Sequence, residues 1–128
     1  MDTDADTVVL NVPADPAYIA VVRTATAGLA ARLNLTLDEI EDLRIAVDEA
    51  CVMLLDQRCH ENSLLTATFR MRSSTLEVVV SGPAESLPDE SSYAWALLKA
   101  LAGEVETFSG GPCGSWIRLT HRSHKGTP

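Results

Sequence analysis

The segment Thr36 to Gln57, TLDEIEDLRIAVDEACVMLLDQ, limits the possible folds of this chain more than any other stretch. It reads as one long helix with a defined start and a single apolar stripe. Thr36 followed three residues later by Glu39 is a capping box, and Leu35 is placed to staple onto Ile40. Ile40, Leu43, Val47, Ala50, Cys51 and Leu54 recur at helical spacing and line one side. Asp38, Glu39, Glu41 and Asp42 occupy the first turns, where the helix dipole favours negative charge. Arg44 is placed to pair with Glu41 or Asp48, a surface contact worth about 0.3–0.5 kcal/mol.

The flanking sequence supplies the layer that such a helix needs. Val8 to Val12 alternates weakly and ends at Pro13, as an edge strand would. Asp15-Pro16 marks a helix start. Apolar residues at Ile19, Val22, Ala25, Ala27, Leu29, Ala30 and Leu33 then carry a first helix to about Leu33. Its Ala/Gly-rich part, Ala25 to Ala31, suits close approach by another backbone. Asn34-Leu35 is a short link to the second helix. From Ser63 the period becomes two: Leu65 to Arg72 and Leu76 to Val80 form a hairpin turned by Ser73-Ser74. Ser81 to Ser92 holds Gly82, Pro83 and Pro88 and reads as a loop. Tyr93 to Leu101 forms a third helix. Val105 to Phe108 and Ser115 to Thr120 form a second strand pair, turned by Ser109-Gly110-Gly111-Pro112. The order β-α-α-β-β-α-β-β predicts an α+β, two-layer sandwich with helices on one face of a mostly antiparallel sheet. At 128 residues the chain is one domain. The domain is expected over 8–122, between a disordered acidic N-terminus (1–7) and a disordered tail (123–128).

Composition removes several function classes. The formal net charge is -8, so nucleic acid is a poor partner. Arg118, Arg122 and Lys125, with His121 and His124 nearby, read as a solvated chain end. No apolar run approaches the roughly 18 residues that span a bilayer, so no membrane association is expected. The opening MDTDADT lacks the basic and apolar regions of a signal peptide, which leaves a cytoplasmic address. The three cysteines, Cys51, Cys59 and Cys113, are an odd count and argue against a disulfide framework. Cys59-His60 has no second ligand pair close by, and His60 and the tail histidines show no metal-like spacing. No metal is expected. Cys51 falls on the apolar side of the long helix, as a small core residue would.

The acidic pair Asp48-Glu49 sits near the middle of the long helix. This helix resembles the N-box helix of the GHKL, or Bergerat-type, histidine-kinase-like ATPases. The stretch RTATAGLAARLNLTLDEIEDLRIAVDEACVMLL, Arg23 to Leu55, is similar to actinobacterial anti-sigma factors of the sigma-B/sigma-F/sigma-H group, which include serine kinases. The closing GSWIRLTHR resembles the family's final strand.

The resemblance implies a nucleotide site, and this sequence departs from the family pattern in each of its three boxes. Glu49 takes the place of the general base, and its role here is expected to be vestigial. One turn later the family has a magnesium-binding Asn; this chain has Met53, a soft thioether where the ion needs oxygen. The next box is Asp-x-Gly, with the Asp reading adenine. Ser81-Gly82 stands there, with no charge. The last is Gly-x-Gly opening a helix toward phosphate; Ser92-Tyr93-Ala94 fills it, followed by Trp95. Without these ligands no cofactor is expected, Mg-ATP remaining possible only if the altered site still holds it. Met53 is then a packing residue, and Tyr93 and Trp95, at the start of a packed helix, belong to the core.

The resemblance also implies partners. These are an alternative sigma factor, a STAS-type anti-anti-sigma protein that competes with it, and a second copy of the chain. Arg23 falls where relatives place an arginine that contacts these partners, with Arg32 and Asn34 as further contacts. The expected function is sequestration of the sigma factor, without kinase activity. The alternatives are an active protein-serine kinase acting on the anti-anti-sigma protein, and a module binding another small ligand near Trp95.

Overall fold

A computed structural model describes residues 6–55, 63–111 and 114–122. Five strands form one fully antiparallel sheet: β1 (Asp6–Pro13), β2 (Leu64–Arg72), β3 (Thr75–Gly82), β4 (Glu104–Gly111) and β5 (Gly114–Arg122), in the spatial order β1-β2-β3-β5-β4. Three helices, α1 (Ile19–Arg32), α2 (Leu37–Leu54) and α3 (Tyr93–Leu101), supply the second layer. This is the expected α+β sandwich.

The helices form where their ends are capped. Thr36 Oγ1 accepts from the Glu39 N–H at 3.1 Å and Glu39 Oε1 accepts from the Thr36 N–H at 2.8 Å, so the capping box closes in both directions. Asp15 Oδ1 accepts from the Ala17 N–H, but the chain at Pro16–Tyr18 makes a 3-10 turn, and α1 proper starts at Ile19. α1 ends on Asn34, whose φ of 62° permits a terminal reversal: the Asn34 N–H reaches the Ala31 carbonyl at 3.0 Å and the Leu35 N–H the Ala30 carbonyl at 3.4 Å.

Alternation along the strands sorts the sheet into two faces. Val12, Leu65, Ala67, Phe69, Met71, Leu76, Val78, Val80, Ile117 and Leu119 face the helices and are buried. They meet Val22, Ala30, Leu43, Ala46, Val47, Ala50, Cys51, Leu54, Trp95 and Leu98 in a single core. Among the described residues the opposite face carries no helix.

Two sequence expectations change, and of the two partners expected for Arg44 the structure selects Glu41. β1 starts at Asp6, so Asp6 and Thr7 are strand, opposite Met71 and Arg70, and not part of a disordered end. Arg118, His121 and Arg122 are not a solvated chain end: β5 runs through them, because the alternation continues and each meets an acid. Arg118 Nε bonds Glu106 at 2.6 Å, His121 Nε2 lies 3.4 Å from Glu39 Oε2, and Arg122 is 3.6 Å from Glu104. Arg44 pairs with Glu41 at 2.7 Å, and Asp48 is taken by a residue of α1. Residues 1–5 and 123–128, and with them Cys59, His60, Cys113, His124 and Lys125, lie outside the described residues.

Candidate functional site

The site implied by the sequence lies where the second half of α2 meets the end of β3 and the start of α3. Glu49 is half-buried on α2. Met53, one turn on, is 7% exposed and belongs to the core. Its sulfur therefore packs where the sequence pattern called for a hard oxygen ligand. The donor set beside Glu49 does not fit magnesium.

Alternation determines what β3 can offer. Val78, Val80 and Gly82 face α2, so Ser81 stands on the open side of the sheet, opposite Thr66 and Trp116. Its hydroxyl points away from Glu49. Gly82 is the residue that meets α2, and it does so by backbone. A Cβ there would sit 2.7 Å from the Leu54 carbonyl oxygen and 2.9 Å from Leu54 Cβ. The next residues are sewn to the same helix end. The Ala84 N–H donates to the Leu54 carbonyl at 3.0 Å, and the Ser115 hydroxyl donates to the Ala84 carbonyl at 2.7 Å. Gly114, with φ of 104°, brings β5 onto the Gly82 carbonyl.

The start of α3 is likewise committed to structure. Ser92 is its N-cap, its hydroxyl accepting from the Trp95 N–H at 3.3 Å. Ala94 packs against the core and Trp95 is 4% exposed, its indole N–H held by the Pro88 carbonyl. Tyr93 departs from expectation: it is 80% exposed and fills neither core nor site, because Ala94, Trp95 and Leu98 take the inward side of a short helix.

Arg23 is not a free surface arginine. Its Nη1 lies 2.7 Å from Asp48 Oδ2, joining α1 to the acidic pair of α2, with both side chains about one third exposed. The other carboxylate oxygen, Asp48 Oδ1, is buried with no hydrogen-bond partner among the described residues. This link between residues 25 apart was missed from sequence, where no local spacing marks it. Arg32 and Asn34 are exposed at the end of α1, and Asn34 is already needed to terminate that helix. Arg23 and Asp48 thus form one pair, with Glu49 next along α2; Ser81, Arg32 and Asn34 are not part of it.

Burial pushes the Cys51 thiol up to about 12, helped by the neighbouring charge of Asp48. The folded state keeps the thiol protonated above the ordinary value of 9.0, so its stabilising contribution is complete below pH 9 and is lost as pH rises toward 12. We expect stability to fall by roughly 1 kcal/mol between pH 8 and pH 10. Urea midpoints should show this fall in the wild type and a smaller one in Cys51→Ala.

An α-helical layer over one face of an antiparallel sheet, with an acid pair on α2, is the architecture of an ATPase-type sandwich domain. The family model described as a histidine kinase-like ATPase domain matches residues 12–121, and the chain belongs to that family. Among curated proteins it is similar to the serine-protein kinase RsbW of Bacillus subtilis, 38% identical over 88 residues that make up 67% of this chain and 55% of that protein. It is also similar to the serine-protein kinase RsbW of Halalkalibacterium halodurans, 35% identical over 63% of this chain and 50% of that protein. The chain spans about half the length of these relatives. In structure it resembles the RsbU and RsbW domains of a Mycobacterium tuberculosis protein, with a TM-score of 0.74, 16% identity, and coverage of 92% of this chain and 32% of that one. That likeness is one of fold.

Proposed function

We propose that this domain is an anti-sigma factor that captures an alternative sigma factor of the sigma-B/F/H type and releases it to a STAS-type anti-anti-sigma protein, acting as a homodimer without kinase activity. Similarity to serine-protein kinases named RsbW supports the class. The observation that carries the loss of catalysis is buried Met53 one turn after Glu49. Ser81 on the far face, Ser92 occupied as a cap and the stitched Gly82–Ala84 turn support it further. Glu49 remains as an acid without the ligands that would make it a base for phosphoryl transfer.

Arg23 is the leading partner contact. The helical layer around it carries Asp38, Glu39, Glu41, Asp42, Asp48 and Glu49, a surface complementary to a basic target that would speed encounter. The small residues of α1 exposed to solvent, including Ala20, Thr24, Gly28 and Ala31, offer a surface for self-association.

The second reading is an active serine kinase, favoured by the retained Glu49 and by the names of the relatives. Incubation with labelled ATP, magnesium and the cognate antagonist separates the two. We expect no transfer of label. Phosphorylation that disappears in Glu49→Ala would establish the kinase instead. Co-purification from the native host should recover a sigma factor, and its absence would count against sequestration.

A further inference from the structure

We propose that one outward seam of α2 is a docking site for an amphipathic helix of a partner protein, a helix whose contact stripe alternates lysine or arginine with apolar residues. The inference rests on the reading of this domain as a protein-capturing module, and it names the kind of segment captured.

The seam follows from how the acids of α2 are used. The helix carries Asp38, Glu39, Glu41, Asp42, Asp48 and Glu49. Half of them are committed within the chain. Glu39 closes the capping box and lies beside His121, Glu41 pairs with Arg44, and Asp48 pairs with Arg23. Among the described residues Asp38, Asp42 and Glu49 have no ion pair and no side-chain hydrogen bond.

Helical spacing gathers these uncommitted acids on one side. Asp38, Asp42, Ile45, Glu49 and Val52 follow one another at steps of four, three, four and three residues, the repeat of a helix-pairing seam. At about 100° per residue the five fall within an arc of about 80°. Glu41, Arg44 and Asp48 occupy the neighbouring arc, toward α1, where Arg23 holds Asp48.

The apolar members of the seam are not core residues. Ile45 is 38% exposed and Val52 55%. α2 already has its buried stripe in Leu43, Ala46, Val47, Ala50 and Leu54, and Ile45 and Val52 add nothing to it. Two β-branched side chains therefore face outward, interleaved with carboxylates that lack a counter-charge. From Asp38 to Val52 the seam is about 21 Å long at about 1.5 Å per residue, a length that a partner helix of about four turns covers.

Charge selects the occupant. A second copy of this seam would set uncompensated carboxylates against their own kind, and like charges brought together across an interface repel. A polyphosphate is repelled in the same way. A helix with lysine or arginine opposite Asp42 and Glu49, and leucine opposite Ile45 and Val52, gains from both halves of the pattern. The aliphatic stems of its cationic side chains lie along the exposed apolar surface while their charged ends reach the carboxylates.

The test uses the full chain and a fluorescein-labelled peptide of about four helical turns whose single stripe alternates lysine and leucine, followed by anisotropy. A peptide of the same composition, with its lysines and leucines spread around the helix, is the parallel arm. We expect saturable binding of the striped peptide, tighter than that of the spread peptide by about tenfold or more. Binding should weaken by about tenfold or more in Asp42→Asn/Glu49→Gln and also weaken in Val52→Ser. It should hold in Glu77→Gln/Glu104→Gln, which removes the same charge from the opposite face of the sheet. Backbone amide shifts on titration of the wild type should map to residues 38–52, a readout independent of any variant. The proposal is overturned by absence of striped-peptide binding, by equal weakening in the two double variants, or by amide shifts confined to the sheet. It is also overturned if Asp42→Asn/Glu49→Gln changes the oligomeric state in light scattering, which would assign the seam to a second copy. Recovery of a sigma factor by co-purification, together with no peptide binding, would strike this seam and leave the proposed function standing. Circular dichroism confirms that the variants remain folded.

Discussion

Gly114→Ala is expected to cost about 3–5 kcal/mol of stability, a large part of the roughly 5–15 kcal/mol that holds a domain of this size together. Two effects combine. At φ of 104° a side chain is strained wherever it points, at about 1–3 kcal/mol. The added methyl would also be driven into the Gly82 carbonyl oxygen, and it would lie 3.0 Å from the Gly82 carbonyl carbon and 3.1 Å from Pro83 Cα. All of these are backbone atoms, so no rotamer relieves the overlap, and overpacking adds about 1–3 kcal/mol. Retreat of β3 is blocked, because Gly82 is itself wedged against Leu54. Shifting the turn would break the Ala84–Leu54 and Ser115–Ala84 bonds together. Urea unfolding should show a large drop in midpoint at unchanged slope. Gly28→Ala is the contrast: nothing lies within 4 Å of its new methyl, and mid-helix in α1 it should add about 1 kcal/mol. A Gly114→Ala midpoint within error of wild type would contradict the packing described for this corner.

Loss of Arg23 should have the largest effect on binding. On the proposed function, Arg23→Ala is expected to weaken capture of the co-purified sigma factor by about 2–4 kcal/mol, roughly 30- to 1000-fold. Folding stability should change by under about 1 kcal/mol, since the Arg23–Asp48 pair is one third exposed and screened by solvent. Asp48→Asn separates positioning from contact. It keeps the shape but removes the charge that holds the guanidinium. The released arginine must then be ordered on binding, a cost of about 0.5–1.5 kcal/mol. A double-mutant cycle by titration calorimetry should return a coupling of that size between positions 23 and 48. Wild-type affinity in Arg23→Ala would remove Arg23 from the interface and the pair from the mechanism.

The elements most legible in the sequence were those whose ends carry their own chemistry. The capping box of Thr36 and Glu39 located α2, and α3 spans Tyr93–Leu101 as its pattern predicts. The strands run longer than their apolar centres because pairing, not hydropathy, extends them: Asp6 and Thr7 join β1 through partners more than sixty residues away. Met53 as a packing residue and Trp95 in the core could be read from side-chain chemistry alone. The orientation of Ser81 could not, since a one-residue difference in where the alternation is counted reverses the face. Nor could the Arg23–Asp48 bond, which exists only once two helices are laid side by side.

The place of β5 between β3 and β4 governs how this domain can be made. The β2–β3 hairpin and the three helices are synthesised before the strand that completes the sheet. Until residues 114–122 leave the ribosome, one edge of β3 has no partner, and the row of Leu76, Val78 and Val80 lacks the neighbours Ile117 and Leu119. A nascent chain stalled at this point presents a bare, valine-rich ribbon, the kind of surface that chaperones bind and that otherwise aggregates. Closure is therefore a late step that joins distant parts of the chain, and slow translation of the last strand should lower the soluble yield while leaving the finished domain as stable as before.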